Sequence, residues 1–541
     1  MERRGDSGGA GCRADRRWLH HDPARAPRLR RPGGAARHRG RVKRLRRLLK
    51  GLGAALLLLL VVLLGRTLGS GSRQVTVTAT ASGPALQVDA KAAAERLGQA
   101  IRFPTVSSRD AALFDRAPFV ALLDWFEAEY PAVYSELRAE RRADHSLLLH
   151  WPGRDASLPV GLFLAHLDVV PVEPGTEGDW SYPPFGGAVA EGHIWGRGAL
   201  DVKSGAVALH EAITLLLAAD FQPERGLWFV FGHDEEIGGA EGALPIARWM
   251  EERGQQVGFV IDEGGFVLDG VFPELGGRPL AMVDIAEKGY ATVHLRARGS
   301  GGHSSVPPPS TSVGRLAAAL ARLEAEPFPL QFSGPVEQQF AYLAPEMPFL
   351  KRLVLRNLWL FGGLVKAQLA ADPKTNAMVR TTTAVTVMNG GVQENVVPQQ
   401  AQASVNFRML PGTSEEDVLA HVRRVIDDPE IELELGTVTH PPAPAEVEGP
   451  VFAGIARAIR TVYPDAVVVP GLLYGATDSR HYGGLTQDIY RFHGIRLPVE
   501  DVSGFHGTNE RVQVQSYAKA IELLARMMTE LAGPARPDAA E

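Results

Sequence analysis

The sequence predicts an α/β protein in which a mixed-sheet domain is interrupted by a smaller inserted domain. From about residue 88, helix-like segments such as KAAAERLGQAI and SGAVALHEAITLLLAA alternate with short apolar runs such as PVGLFLAH, GLWFVFGH and VGFVI. This alternation is typical of buried strands and covering helices in one sheet. Between about 290 and 440 the order changes to strand, helix, strand, strand, helix, strand, which predicts an inserted ferredoxin-like βαββαβ domain.

These changes of pattern set the expected domain limits. Ahead of the folded body, we expect a basic tail over 1–50, an apolar segment over 51–68 and a linker over 69–87. We expect the main domain to occupy 88–289 and 441–533, the inserted domain to occupy 290–440, and a flexible tail to occupy 534–541.

The composition is that of an ordinary globular protein. The chain has 541 residues, of which 45% are hydrophobic and 22% charged, enough for two domains and unlike a disordered or fibrous protein. Its single cysteine, Cys12, excludes an intrachain disulfide and leaves the body without a cysteine nucleophile or metal ligand.

The first 50 residues are strongly basic, with 17 Lys and Arg against 4 Asp and Glu, and they lead directly into the apolar run GLGAALLLLLVVLLG at 51–65. The tail lacks interleaved aromatic residues, so we expect no nucleic-acid binding. Basic residues ahead of a leucine run predict a cytoplasmic N-terminus and a body outside the cytosol. The apolar run has the length of a signal-peptide core, but Leu48, Leu49 and Leu68 extend it to a spanning length. We favour an uncleaved signal anchor; cleavage would give a secreted protein.

Imidazole and carboxylate side chains recur close to the predicted strands. Several follow an apolar run directly, as in open α/β sheets that bind ligands at the carboxyl ends of their strands. Two metal ions with a shared carboxylate need this kind of inventory, so the sequence predicts a dinuclear zinc site, which Co²⁺ or Mn²⁺ could also occupy. The candidates are His166 and Asp168 in AHLDVV, Asp201 in GRGALDVKSG, Glu235 and Glu236 in GHDEEIGG, Asp262 and Glu263 in IDEGG, and His506 in GFHGTNE.

The spacing of some of these residues indicates different roles in the site. In an extended segment His166 and Asp168 point to the same side, so Asp168 is placed to orient the imidazole. Glu235 and Glu236 are adjacent, so a turn is needed if one is to meet metal and the other the water between the metals. His193, His233 and His481 are expected to be structural or supporting histidines, with His233 the one expected to line the cleft.

These motifs, in this order, resemble the family of dinuclear zinc exopeptidases that includes aminoacylases, carboxypeptidase S and N-fatty-acyl-amino-acid hydrolases, over nearly all of 88–533. The resemblance implies that His166 binds one zinc, that Asp201 bridges both, and that Glu236 and His506 complete the second. It assigns Glu235 as the general base. Relatives place the remaining carboxylate at either acidic position of IDEGG, so Asp262 and Glu263 both remain candidates, with a slight preference for Glu263.

The inserted domain carries a second set of candidates. Glycines before His303 in GSGGHSSVPP allow a tight turn that projects the imidazole. The resemblance implies a lid and dimerisation role for this domain, with the histidine at 303 crossing a homodimer interface to polarise the scissile carbonyl. It also implies that Asn395 in QENVVP and Arg408 in NFRMLPG hold the substrate's free carboxylate, for which the planar guanidinium is well suited. A loop histidine and a solvent-exposed arginine are the alternative interpretation.

An insertion at roughly 335–375 contains the amphipathic run FLKRLVLRNLWLFGGLVKAQL. Three interpretations are open: the core of a dimer interface, a segment that rests on a membrane surface, or the floor of an acyl-chain pocket.

Together these features predict hydrolysis of an amide bond next to a free-carboxylate amino acid, by a carboxypeptidase or an N-acyl-amino-acid amidohydrolase. The alternatives are a dipeptidase or deacetylase with the same metal centre, and a non-catalytic, membrane-tethered binding ectodomain.

Overall fold

The computed structural model describes residues 34–77 and 86–533. Residues 1–33 of the predicted basic tail, with Cys12, and the predicted flexible tail at 534–541 lie outside the described residues, as do residues 78–85 of the predicted linker. The chain divides into two units, Met1–Val62 and Leu63–Glu541.

Helix α1 spans Gly34–Leu68. Its stretch Arg44–Leu68 is, among the described residues, the one helix long and apolar enough to cross a membrane. At 25 residues it exceeds the roughly 20 that a bilayer core requires. The first unit contains most of this helix, and its last turns, from Leu63 onward, belong to the second.

The second unit contains a large sheet with the strand order β1-β2-β6-β3-β7-β16-β8-β15. Strand β3 runs parallel to β6 and β7, whereas β1, β2 and β6 pair antiparallel, so the sheet is mixed as predicted. Its strands are β1 (Arg138–Arg142), β2 (Ser146–Trp151), β3 (Val160–His166), β6 (Leu227–Gly232), β7 (Val257–Asp269), β8 (Leu280–Glu287), β15 (Val467–Leu473) and β16 (Ile489–Pro498). A smaller sheet is formed by β4 (Ala188–Ala190), β5 (His193–Trp195) and β17 (Arg511–Gln513).

Helices cover both faces of the large sheet. Along β3, Phe163 belongs to one core cluster while its neighbours Leu162 and Leu164 belong to another. Because successive side chains in a strand point to opposite faces, one strand serves both cores, which explains its unbroken apolar sequence. The helices associated with this part of the chain are α2 (Ala90–Ile101), α3 (Ala117–Glu129), α4 (Pro131–Glu136), α5 (Lys203–Ala218), α6 (Ala243–Glu252), α13 (Pro450–Val462) and α14 (Val514–Ala532).

A separate antiparallel sheet lies between β8 and α13 in the chain, with the strand order β11-β13-β9-β14 and its own apolar core. The chain order of its main elements is strand, helix, strand, strand, helix, strand. They are β9 (Gly289–Arg298), α7 (Ser312–Ala325), β11 (Thr382–Gly390), β13 (Gln400–Met409), α12 (Glu415–Ile426) and β14 (Ile431–Thr439), with a short ribbon of β10 (Gly302–His303) and β12 (Val396–Val397).

The insertion between α7 and β11 is helical: α8 (Gly334–Leu343), α9 (Phe349–Arg356), α10 (Leu358–Leu369) and α11 (Pro373–Asn376). The amphipathic run seen in the sequence is therefore two helices that meet at Asn357.

Candidate metal centre

The carboxyl end of β3 places His166 at the centre of a group of carboxylates. Its Nε2 atom lies 3.1 Å from Asp201 Oδ1 and 3.3 Å from Glu263 Oε1. On the other side of the ring, Nδ1 lies 2.9 Å from the backbone carbonyl of Asp168 and 3.2 Å from its Oδ1. The imidazole is thus held by Asp168 on one nitrogen and faces two carboxylates with the other.

Asp201 joins this group to a second one. Its Oδ2 atom lies 2.9 Å from His506 Nε2, which is also 3.3 Å from Glu236 Oε2. Each oxygen of Asp201 therefore faces a different histidine, as a bridging carboxylate requires. The backbone of His506 is left-handed, with φ 55°, a conformation that non-glycine residues adopt uncommonly and that recurs at functional sites.

The turn that separates Glu235 from Glu236 is built on Asp168. After β6, residues Glu235–Ile237 form a short 3₁₀ helix. The backbone N–H groups of Glu235 and Glu236 donate to the two carboxylate oxygens of Asp168, each at 3.1 Å. Asp168 thereby positions both the imidazole and the glutamate pair. Arg480 lies 3.8 Å from Glu235 Oε1.

Glu263 enters the site from a bulge in β7. In the strand register, Arg491 on β16 lies opposite Asp262, and the next residue of β16, Phe492, lies opposite Gly265. Glu263 and Gly264 therefore have no partners on β16. The φ of Gly264, 135°, is one that L side chains rarely adopt. Bulges redirect a side chain in this way next to active sites. The acidic pair was expected near the end of a short strand; it lies inside a longer one, because the bulge lets the strand continue.

Asp262 has a different role in the structure. It is 4% exposed, and its carboxylate accepts the backbone N–H of Ser479 at 2.7 Å and that of Glu263 at 2.9 Å. Its oxygens therefore bind backbone amides, which leaves Glu263 as the member of the pair that faces His166.

Several supporting residues were not identified from the sequence. Glu510 is fully buried and accepts the N–H groups of Gly198, Leu200 and Asp201, while pairing with Arg197 at 2.6 Å. It thus fixes the loop that carries Asp201. The acidic residue in GFHGTNE was visible in the sequence, but its partner Arg197 lies more than 300 positions away, and nothing local links the two. Asp478, 4% exposed beside Gly232 and Gly239, was also missed.

The spare histidines form contacts with other groups. His233 is 3% exposed and its Nδ1 lies 2.8 Å from Ser146 Oγ, among the rings of Phe114 and Phe119. The prediction that it lines the cleft was wrong, because its ring turns into this buried aromatic cluster. His481 Nε2 lies 3.1 Å from the carbonyl of Gly238, and His193 Nδ1 lies 2.8 Å from that of Glu191.

Electrostatics favour a cation among these side chains. Burial raises the pKa of Glu235 and of Glu236, and raises that of Glu263 to about 8. The hydrogen bond to Asp201 and that to Glu236 raise the pKa of His506 to about 10. Holding these negatively charged carboxylates close together in a buried site therefore costs free energy, which a bound cation would offset.

The donor set also fits a metal ion. His166, Glu235 and Glu263 can each direct one ligand atom to within 4.8 Å of the others, and so can His166, Asp201 and Glu236. Glu236 Oε1 is buried and has no hydrogen-bond partner in the described residues, as expected of an atom that awaits a ligand. Imidazole nitrogens and carboxylate oxygens suit first-row divalent metals.

The second set of candidates lies in the part of the chain that forms the separate β11-β13-β9-β14 sheet. His303 is exposed, and its Nδ1 accepts the N–H of Ser305 at 3.1 Å. Ser304 donates its N–H to the carbonyl of Asn395 at 3.1 Å, so the structure brings these two loops together. Arg408 lies on β13, 5.0 Å from the ring of Tyr290. None of the hydrogen bonds among the described residues joins these three side chains to the metal-type groups.

A mixed sheet that brings imidazole and carboxylate side chains together in a set that could hold a metal ion is the arrangement of a metal-dependent hydrolase. Residues 162–530 match the peptidase family M20/M25/M40, and the chain belongs to this family, whose members hydrolyse amide bonds.

Two relatives and one solved structure illustrate the match. The N-fatty-acyl-amino acid synthase/hydrolase PM20D1 of Mus musculus is 37% identical over 482 residues, which cover 87% of this chain and 94% of that protein. A probable carboxypeptidase S-like protein of Dictyostelium discoideum is 35% identical over 79% of this chain and 83% of its own. Human carnosine dipeptidase 1 shares the fold, with a TM-score of 0.58 at 16% identity, over 82% of this chain and 97% of that one.

Proposed function

We propose that this hydrolase uses two Zn²⁺ ions to cleave the amide bond of an N-acyl amino acid whose carboxylate is free. The observation that carries the proposal is the position of Asp201 between His166 and His506, one carboxylate oxygen toward each imidazole. The acyl group is proposed from the likeness to the mouse N-fatty-acyl-amino acid synthase/hydrolase. A carboxypeptidase is the second candidate, favoured by the likeness to the carboxypeptidase S-like protein.

The ligands divide into two sets that share Asp201. His166 and Glu263 would hold one ion, and Glu236 and His506 the other. Asp168 would act by positioning, through the imidazole of His166 and the backbone of the glutamate turn. Asp262 is a supporting residue in this assignment.

Glu235 is not among the proposed metal ligands, and we assign it as the general base. When bound, the two ions would lower the pKa of a water molecule and polarise the scissile carbonyl. Glu235 takes a proton from the attacking water as the water oxygen bonds to the carbonyl carbon. Glu235 then returns this proton to the amide nitrogen as the C–N bond breaks. The products are a carboxylic acid and a free amine.

Substrate recognition is proposed for the inserted domain, with its limits at 290 and 440. His303 would stabilise the oxyanion across a homodimer interface, while Asn395 and Arg408 would bind the free carboxylate.

Mixing the inactive variants Glu235→Gln and His303→Ala tests this arrangement. If His303 acts in trans, mixed dimers regain activity, because one of their sites holds both native residues. Mixtures that stay inactive while forming dimers would contradict it.

We also propose that α1 is retained as a signal anchor, with the hydrolase outside the cytosol. The basic residues ahead of the span support this orientation. If the segment is removed, the same body is secreted.

Exchange of Glu235 for Gln tests the mechanism. We expect kcat to fall by about 10²- to 10⁴-fold, since the base is lost, while zinc content per chain stays unchanged. Steady-state kinetics on a panel of N-acyl amino acids and dipeptides, together with elemental analysis, measures both quantities and ranks the substrates. Glu241→Gln is the matched control, because Glu241 is an exposed carboxylate in the same segment. An unchanged kcat in Glu235→Gln would refute the role of Glu235, and a chain without stoichiometric metal would favour a non-catalytic binding ectodomain.

A further inference from the structure

The helical insertion presents an apolar outer face, defined here as Phe349, Leu350, Trp359, Leu360 and Leu364. Their exposed fractions are 45%, 75%, 57%, 44% and 68%. Within the described residues, this face contains the only exposed Phe and the only exposed Trp. Large aromatic side chains exposed together in one short segment mark an interaction surface rather than ordinary surface scatter.

Helix α10 has no charged residue on its exposed side and apolar residues on the opposite side. At 100° per residue, its exposed positions occupy one half of the helix, and none of them is charged: Trp359, Leu360, Gly363, Leu364, Ala367 and Gln368. The opposite half packs into the body through Leu358, Val365 and Leu369, against a core that includes Phe340 and Leu472. A surface helix of a soluble protein carries polar residues on its outer side, so this helix is built to be covered there as well.

The insertion contacts the last turns of α1, which belong to the same unit. Asn357, fully buried between α9 and α10, donates from Nδ2 to Thr67 Oγ1 at 3.2 Å and to the carbonyl of Leu63 at 3.4 Å. Trp359 Nε1 donates to Asn357 Oδ1 at 3.2 Å. Hydrogen bonds thus link the last turns of α1, which lie in the same unit as the insertion, to the first exposed aromatic of α10.

Basic groups border this junction. Arg66 donates from Nε to the carbonyl of Arg356 at 3.3 Å, and Arg356 is close enough to Arg66 and Arg73 for their charges to interact. The Nε of Arg356 has no hydrogen-bond partner in the described residues. Arginines beside an apolar, aromatic-bearing helix suit a bilayer surface, where phosphates lie next to acyl chains.

We propose that the outer face inserts into the outer leaflet of the bilayer that α1 crosses, so that the body is attached by the span and by α9 and α10 together. The inference rests on the retention of α1 proposed above. The bilayer is assigned as the occupant because the insertion is hydrogen-bonded to Leu63 and Thr67, in the last turns of the span. A second copy of the chain is the occupant that the experiment must exclude.

Fluorescence quenching in vesicles tests the inference. The full chain with Cys12→Ser and Leu364→Cys is labelled with an environment-sensitive fluorophore and reconstituted into phosphatidylcholine–phosphatidylserine vesicles that contain nitroxide-bearing lipids. Matched controls carry Leu113→Cys or Val392→Cys, at positions 73% and 95% exposed. We expect a blue-shifted, quenched label at 364, and unquenched labels at both control positions.

The possible failures are distinguishable. Quenching at 364 no greater than at 113 and 392, in chains that resist extraction at high pH, would overturn the docking and leave the span intact. Extraction of the chain at high pH would overturn the attachment by α1 and this inference with it. A label at 364 that is equally shielded in detergent, with disulfide crosslinking between copies of the unlabelled Leu364→Cys chain, would assign the face to a second copy instead.

Discussion

At the scale of single residues, the adjacent carboxylates of Asp262 and Glu263 lie in different surroundings. Asp262 accepts two backbone N–H groups, whereas Glu263 faces His166 at 3.3 Å. We expect Glu263→Ala to lose about one metal ion per chain, because it removes a proposed ligand. We expect Asp262→Asn to keep both ions, because the Asp262 carboxylate faces backbone N–H groups, although the amide retains an acceptor for only one of them. Elemental analysis after dialysis checks this expectation. Equal metal loss in the two variants would show that both residues are ligands.

Glu510 holds the loop that carries Asp201, because it pairs with Arg197 and accepts three backbone N–H groups of that loop. We expect Glu510→Gln to lower the free energy of unfolding by about 3–5 kcal/mol, since it leaves the charge of Arg197 buried without a counter-ion. Denaturant unfolding measures the change. Glu500→Gln, at an exposed position, should stay within about 0.5 kcal/mol of the native chain. Comparable losses in the two variants would contradict the role of the buried pair.

At the scale of elements, the bulge in β7 depends on close contact with its neighbours. A Cβ atom at Gly265 would lie 1.8 Å from the carbonyl oxygen of Met282 on β8. We expect Gly265→Ala to destabilise the fold by about 1–3 kcal/mol and to weaken zinc binding, because the strands must separate where Glu263 is positioned. Thermal unfolding and zinc titration check the two effects. Gly178→Ala is the control, since a Cβ there meets nothing within 4 Å. A Gly265→Ala chain with native stability and zinc affinity would show that the bulge tolerates the added carbon.

At the scale of the whole molecule, the sequence predicts a feature well when its signal is local. The buried strands and the imidazole and carboxylate motifs close to them were apparent from short segments. The bulge at Glu263, the pairing of Glu510 with Arg197 and the burial of His233 depend on contacts distant in the chain, which one sequence does not display. The same limit applies to Glu263, whose side chain faces His166 from the bulge in the register of β7 against β16.

We expect the acidic centre to couple metal binding to the stability of the body. Burial raises the pKa of Glu235, Glu236 and Glu263, so charging these groups without a cation disfavours the folded state. A ligand that binds only the folded chain stabilises it by about 4 kcal/mol when its free concentration is a thousand times its Kd.

We therefore expect chelation of the metal to lower the Tm of the body by several degrees, and readdition of Zn²⁺ to restore it. Calorimetry with and without chelator, at fixed pH and with metal content measured in parallel, checks this expectation. Glu263→Ala, which should bind fewer ions, should show a smaller shift than the native chain. A chain that loses its metal without any change in Tm would contradict the coupling, because metal binding would then contribute nothing to the difference between the folded and unfolded states.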